Sequence, residues 1–289
     1  MIDLLCEFSH HFPELAANIL HRDRHKRRNF REETITDVLM AGLTAFEPFG
    51  IRVDFPEDES KTGEDMDWEF IDLQAPDRRR YLRLHIQAKR AIFSNGKKNP
   101  YWFYRELDHA VPLGASKVSQ HALLLKNAKA SPGCVPLYMF YHPRGALAPR
   151  TAKLPPVEGV NVMFADRIPL QLNSGHWPVA DKKVEKWRPH FLPLSSILCF
   201  GHGLTKLVRL SPGQIAFLIL GTSGGASPSE LADRLNELRN QDGGPASPKI
   251  QAIEDVPQST MRALRIDTGP TDGAEIERPR VIFETRRDG

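Results

Sequence analysis

Apolar residues recur at three- and four-residue spacing from Leu4 to about His21, through Leu4, Leu5, Phe8, Phe12, Leu15 and Ile19. That spacing predicts an amphipathic helix, which Pro13 is expected to break or restart. A second helix is predicted from Glu32 to about Phe46, with Ile35, Val38, Leu39 and Leu43 on one face and Pro48-Phe49-Gly50 as its stop. The period then changes to two. Ile51–Phe55 alternates as a strand, Pro56–Gly63 reads as an acidic loop, and a strand follows in which Asp65, Asp67 and Glu69 share one face and Met66, Trp68 and Phe70 the other. After a turn at Gln74-Ala75-Pro76-Asp77, Tyr81–Ala91 puts His85, Gln87 and Lys89 on one face and Leu84, Ile86 and Ala88 on the other. The short connection predicts an antiparallel hairpin. A helix is predicted from Ser116 to about Ala130, a buried strand at Val135–Tyr141, and a further strand at Gly159–Ala165 with Val160, Val162 and Phe164 facing one way. This order predicts an α/β fold.

Paired, the two central strands would bury Met66, Trp68, Phe70, Leu84 and Ile86 together. Their other surface would set carboxylates, an amide oxygen and a lysine side by side, a hard-cation site with an ammonium next to it. On these residues the chain resembles the PD-(D/E)XK nuclease superfamily in its Mrr-like variant, whose second motif is Gln-x-Lys, here Gln87-Ala88-Lys89. Asp67, after Gly63-Glu64-Asp65-Met66, best matches the first acidic position. The chain also looks like a bacterial family that supplies no biological role. The resemblance implies a restriction-endonuclease-like core, a central mixed β-sheet flanked by helices, over residues 1–200. It implies a metal-dependent endonuclease that hydrolyses phosphodiester bonds, with DNA ahead of RNA as substrate, Mg²⁺ (or Mn²⁺) as cofactor and bacterial defence as a setting. The catalytic set it implies is Asp67, Gln87, Lys89 and Glu33, with Asp67, Gln87, Glu33 and Asp65 as metal ligands. Asp65 lies two residues before Asp67 on the same face, and the sequence does not separate them. Gln87 brings an amide oxygen without charge, so metal affinity leans on other carboxylates, and Glu33 on the preceding helix is the natural supplement. Lys89 would hold the attacking water and offset charge on the phosphate. Gln120, on the following helix, is a candidate for contact with the site or the nucleic-acid backbone. The alternative reading is a catalytically inactive nuclease-fold module that binds nucleic acid or a defence-system partner.

With 289 residues, 40% hydrophobic and 26% charged, the chain has the composition of a globular protein. Its formal net charge is only +3, but basic residues cluster. Arg22, Arg24, Lys26, Arg27, Arg28 and Arg31 form one run; Arg78, Arg79, Arg80 and Arg83 a second; Lys97 and Lys98 a third. The last two runs, with Arg90, flank the Gln-x-Lys strand and are expected to contact phosphates. Cys6, Cys134 and Cys199 are far apart and fit neither a zinc motif nor a disulfide framework, which suggests thiols in a reducing compartment. His10, His11, His121 and His142 are read as structural. No signal-peptide pattern is evident and Ile215–Leu220 is too short to span a bilayer, so a cytoplasmic protein without membrane association is expected. Neither a nucleophile elbow nor a Walker loop occurs. Residues 201–240 are expected to form a helical extension starting at the capping pattern Ser227-Pro228-Ser229-Glu230. Residues 241–289, rich in Gly, Pro, Asp and Ser, read as a largely disordered tail able to bind a protein partner, with Val281-Ile282-Phe283 as a small strand or docking peptide. A homodimer would suit cleavage of both strands of a duplex.

Overall fold

The alternating segments around Asp67 and Gln87 become the middle of an eight-stranded mixed sheet in the computed structural model, which describes residues 4–22, 30–55, 65–95, 99–113, 116–169, 176–199, 226–241, 247–264 and 278–285. Its strands are β1 (Ile51–Asp54), β2 (Asp65–Ile71), β3 (Tyr81–Ser94), β4 (Tyr101–Tyr104), β7 (Cys134–Tyr141), β8 (Val160–Phe164), β9 (Leu192–Pro193) and β10 (Arg280–Glu284). Strands β5 (Ala110–Leu113) and β6 (Ser116–Ser119) form a separate pair. The order across the sheet is β1-β10-β2-β3-β7-β8-β9, with β4 paired to the far end of β3. The hairpin β2–β3 is antiparallel, as expected, and β3 runs parallel to β7 through the crossover helix α3 (Gln120–Ala130).

Parity sorts the two faces. Met66, Trp68, Phe70, Leu84, Ile86 and Ala88 pack with Leu137, Met139, Val160 and Val162 into the main core. Helices α1 (Leu4–Arg22) and α2 (Glu32–Thr44) cover it through Leu5, Phe12, Ala16, Leu20, Ile35, Leu39 and Leu43. On the other face Ala91, Tyr138, Phe140 and Met163 pack with Leu124 of α3 and with Trp177, Trp187 and Phe191. Two short helices, α4 (Val184–Trp187) and α5 (Ser195–Leu198), add Val184 and Trp187 to this second core and Ile197 and Leu198 to the main one.

Several sequence expectations change. α1 is continuous through Pro13; burial of Phe12, Ala16, Ala17 and Leu20 along one face outweighs the cost of about 3 kcal/mol for an interior proline. α3 begins at Gln120 rather than Ser116, because the Ser119 hydroxyl accepts the Ala122 N–H and caps the helix there. The larger correction concerns the C-terminal region. Helix α6 (Pro228–Gln241) delivers Leu231 and Leu235 to the main core. Helix α7 (Gln258–Leu264) packs Ala263 on Ile71, Tyr81 and Ile282. β10 lies between β1 and β2, antiparallel to the first and parallel to the second, with Phe283 stacked on Phe70. Residues 226–241, 247–264 and 278–285 are thus integral to the domain, not an extension followed by a disordered tail. The apolar trio Val281-Ile282-Phe283 is fully buried, which explains why so polar a region still contributes a strand. The apolar run at Ile215–Leu220 lies outside the described residues. No helix among them is long and apolar enough to cross a membrane.

Candidate active site on the β2–β3 hairpin

The polar face of the hairpin is a row of cross-strand pairs. Asp65 stands opposite Gln87, Asp67 opposite His85, and Glu69 opposite Arg83. Tyr138 and Phe140 on β7 flank Gln87 and Lys89. The expectation that Asp67, Gln87 and Lys89 share a face is met, but the register separates their roles. Lys89 is four residues beyond the partner of Asp67, about 13 Å along the strand at 3.3 Å per residue. It is only two residues beyond the partner of Asp65, about 7 Å.

Asp67 is occupied by protein groups. One carboxylate oxygen accepts from the Arg83 guanidinium at 2.5 Å, and the other lies 2.7 Å from His85 Nδ1. Burial works to raise its pKa, but the His85 hydrogen bond and the Arg83 charge outweigh it and hold the carboxyl below the usual aspartate value. Arg278, entering just before β10, reaches the other ring nitrogen of His85 at 3.3 Å. Asp67 and His85, both buried, therefore form a cluster with the half-buried Arg83 and Arg278, in which the Asp67 oxygens are already engaged. Asp65, the alternate, is the acidic residue that stands opposite Gln87. The pKa of Glu69, farther along, is raised by burial.

Gln87 and Lys89 are both buried, each 1% exposed. Lys89 Nζ donates to Gln120 Oε1 at 3.2 Å, so the expected link from α3 to the site is present. Among the described residues, Gln87 Oε1 has no hydrogen-bond partner, and neither does Glu33 Oε2. The start of α2 lies at the Lys89 end of β3, because Glu32 Oε1 accepts the Arg90 backbone N–H at 3.2 Å and the Arg90 guanidinium donates to the Phe30 carbonyl. Arg90 thus ties the start of α2 to the end of β3. Asp37, a turn beyond Glu33, is exposed.

Of the second basic run, Arg83 stands in this row, bonded to Asp67, and the rest does not border it. Arg78, Arg79 and Arg80 sit at the turn before β3, nine or more residues from Lys89, or about 30 Å. Arg79 pairs with Asp77 and Asp233, and Arg78 with Glu254. Lys97, Lys98, Arg24, Lys26, Arg27 and Arg28 lie outside the described residues. His121 and His142 are buried as expected, each with its pKa lowered to about 4 by burial. Tyr104 is core, bonded to His142 at 2.6 Å.

Two features escaped the sequence reading. One is the His85–Asp67–Arg83 cluster, which the shared face of the three residues could have flagged. The other is Cys6 and Cys199, which are joined as a disulfide rather than separate thiols; at 193 residues apart in the chain, the pair left no local signal.

A family model described as "Family of unknown function (DUF6615)" matches residues 5–288. The chain belongs to this family. The match runs through β10, in keeping with a C-terminal strand that is part of the same sheet. No curated protein and no solved structure matches the chain.

Proposed function

We propose that the chain is a metal-dependent nuclease of restriction-endonuclease-like architecture, with Asp65, Gln87 and Glu33 as metal ligands and Lys89 as the catalytic cation. The observation that carries this reading is the cross-strand pairing of Asp65 with Gln87, with Lys89 two residues further on the same face. The buried oxygens Gln87 Oε1 and Glu33 Oε2, neither of which has a hydrogen-bond partner among the described residues, are the neutral and anionic oxygen donors that Mg²⁺ prefers. A buried acceptor left unsatisfied is costly, and a hard cation would remove that cost.

When bound, Mg²⁺ supplies charge neutralisation on the phosphate and activation of the attacking water. The remaining work falls to side chains. The Gln120 carboxamide orients the Lys89 ammonium, which can donate to a non-bridging phosphate oxygen as negative charge builds there. Gln87, opposite Asp65 on β2 and Tyr138 on β7, offers its oxygen without adding charge, so Asp65 and Glu33 set the affinity for the ion. The Asp67–Arg83–His85 cluster braces the hairpin from one side.

A second reading has an observation of its own. Gln87 and Lys89 are buried, so a substrate must displace what covers them, and a module that has lost catalysis would keep them covered. Purified protein incubated with plasmid DNA and with single-stranded RNA, with and without Mg²⁺ or Mn²⁺, separates the two. Metal-dependent cleavage abolished by Lys89→Met supports the nuclease. Salt-dependent binding without cleavage, unaffected by Mg²⁺, supports the module.

A further inference from the structure

Helix α1 carries Cys6 and His10 four residues apart, hence on one face. The chain leaving α5 brings Cys199 to that face. The Cys6 and Cys199 sulfurs and a His10 ring nitrogen all lie within 4.8 Å of one another. Around a tetrahedral ion with bonds of about 2.3 Å to sulfur and 2.0 Å to nitrogen, ligand atoms sit roughly 3.5–3.8 Å apart, so small side-chain rotations suffice. Two thiolates and an imidazole are the donor set of zinc and similar ions, not of Mg²⁺. His10 is exposed and both cysteines are half-buried, which leaves an entry path. A carboxylate for the other His10 nitrogen is also near. Glu158 is half-buried, lies beside Gly159, and is close enough to feel the charges of His10 and Arg150. Gly159 packs so tightly on the Pro13 carbonyl of α1 that an added Cβ would sit 1.7 Å from that oxygen. Metal-bound histidines commonly donate their second N–H to such a carboxylate.

We propose that Cys6, His10 and Cys199 bind one zinc-like divalent ion when the two cysteines are reduced. The disulfide and the metal exclude each other. An external thiol or phosphine delivers two electrons, the S–S bond breaks and two thiols form; metal binding then releases their two protons. A disulfide oxidant reverses this, taking two electrons, re-forming the S–S bond and releasing the ion. Either state fastens α1 to α5, so the site exchanges one cross-link for another and leaves the polar row on β3 alone. The fourth tetrahedral position goes to water or a further ligand.

The test uses the full-length chain and Co²⁺ as a spectroscopic probe. After anaerobic reduction with a phosphine, one equivalent of Co²⁺ should produce an intense thiolate-to-cobalt charge-transfer band in the near ultraviolet, displaced by one equivalent of Zn²⁺. The oxidised chain should give no such band. Cys6→Ser and Cys199→Ser should each abolish or strongly diminish it, and His10→Ala, at an exposed helix position, should weaken affinity about tenfold or more. Gln87→Ala should leave it unchanged, because oxygen ligands give no thiolate band. Should a serine variant misfold, the reduced-versus-oxidised comparison on the wild-type chain still decides. A reduced wild-type protein without the band, or a band that survives both serine variants and so belongs to Cys134, overturns the proposal.

Discussion

Asp67→Asn should cost stability and spare metal binding, whereas Asp65→Asn should do the reverse. Asp67 holds Arg83 and His85 inside the sheet, with only 11% of its own side chain and 26% of that of Arg83 exposed. Removing one partner of a buried ion pair costs roughly 3–5 kcal/mol, because the other charge is stranded. Partial exposure of Arg83 moves the expectation to the low end, about 3 kcal/mol. Unfolding entropy near 2.1 cal/mol/K per residue gives about 0.6 kcal/mol/K for 289 residues. The expected fall in Tm is therefore about 5 °C. The pH dependence has a definite sign. The folded pKa of Asp67 is depressed, so its contribution is present above its unfolded value of about 3.9 and fades as pH falls through the folded value. The gap between wild type and variant should thus be full at neutral pH and close in strong acid. Calorimetry of the metal-free proteins measures Tm, and titration with Mn²⁺ measures binding. An Asp67→Asn protein with wild-type Tm and no metal binding would refute the register argument and return the ligand role to Asp67.

Three further outcomes are expected. Lys89 is buried, so Lys89→Ala would open a cavity; Lys89→Met keeps the stem and should lower turnover by about 100-fold or more with nucleic-acid affinity unchanged, read by single-turnover and binding assays. Gln87→Glu adds a buried carboxylate, so the metal-free protein should lose stability and regain it on adding Mg²⁺, with tighter binding by calorimetric titration; a metal-independent Tm would count against the site. The lowered pKa values of His121 and His142, about 4 against an unfolded value near 6.5, mean that the unfolded chain takes up protons first as pH falls. Stability should be lost between about pH 6.5 and pH 4, by roughly 3 kcal/mol per histidine, and urea titrations that show no loss across this window would contradict it.

The hairpin was legible because strand parity is a local property. Each residue from Asp65 to Phe70 and from Leu84 to Lys89 takes its face from its neighbours alone, and burial of Met66, Trp68, Leu84 and Ile86 on one side follows. The insertion of β10 was not legible. Its three apolar residues, Val281, Ile282 and Phe283, are embedded in a polar stretch, and their place between β1 and β2 depends on the exposed edges those strands offer 200 or more residues earlier. Nothing within a window of ten residues carries that information.

The same distinction explains the basic residues and the aspartates. A charge run has no fixed partner in sequence, and Arg78 and Arg79 found theirs in Asp77, Asp233 and Glu254 at the turn end of the hairpin. Neutralising Arg78, Arg79 and Arg80 is therefore not expected to change the salt dependence of nucleic-acid binding at Lys89, contrary to what their proximity in sequence suggests. Asp65 and Asp67 are equivalent by parity, and only register tells them apart. A shift of two residues along β3 would set Asp67 opposite Gln87 and keep every face unchanged, so hydrophobic patterning does not choose between them. The choice is made by the Arg83–Asp67 and His85–Asp67 contacts, which close only when Asp67 pairs with His85. The cluster thus favours the register that sets Asp65 opposite Gln87, and under the proposed function Asp67 positions the site instead of holding the ion.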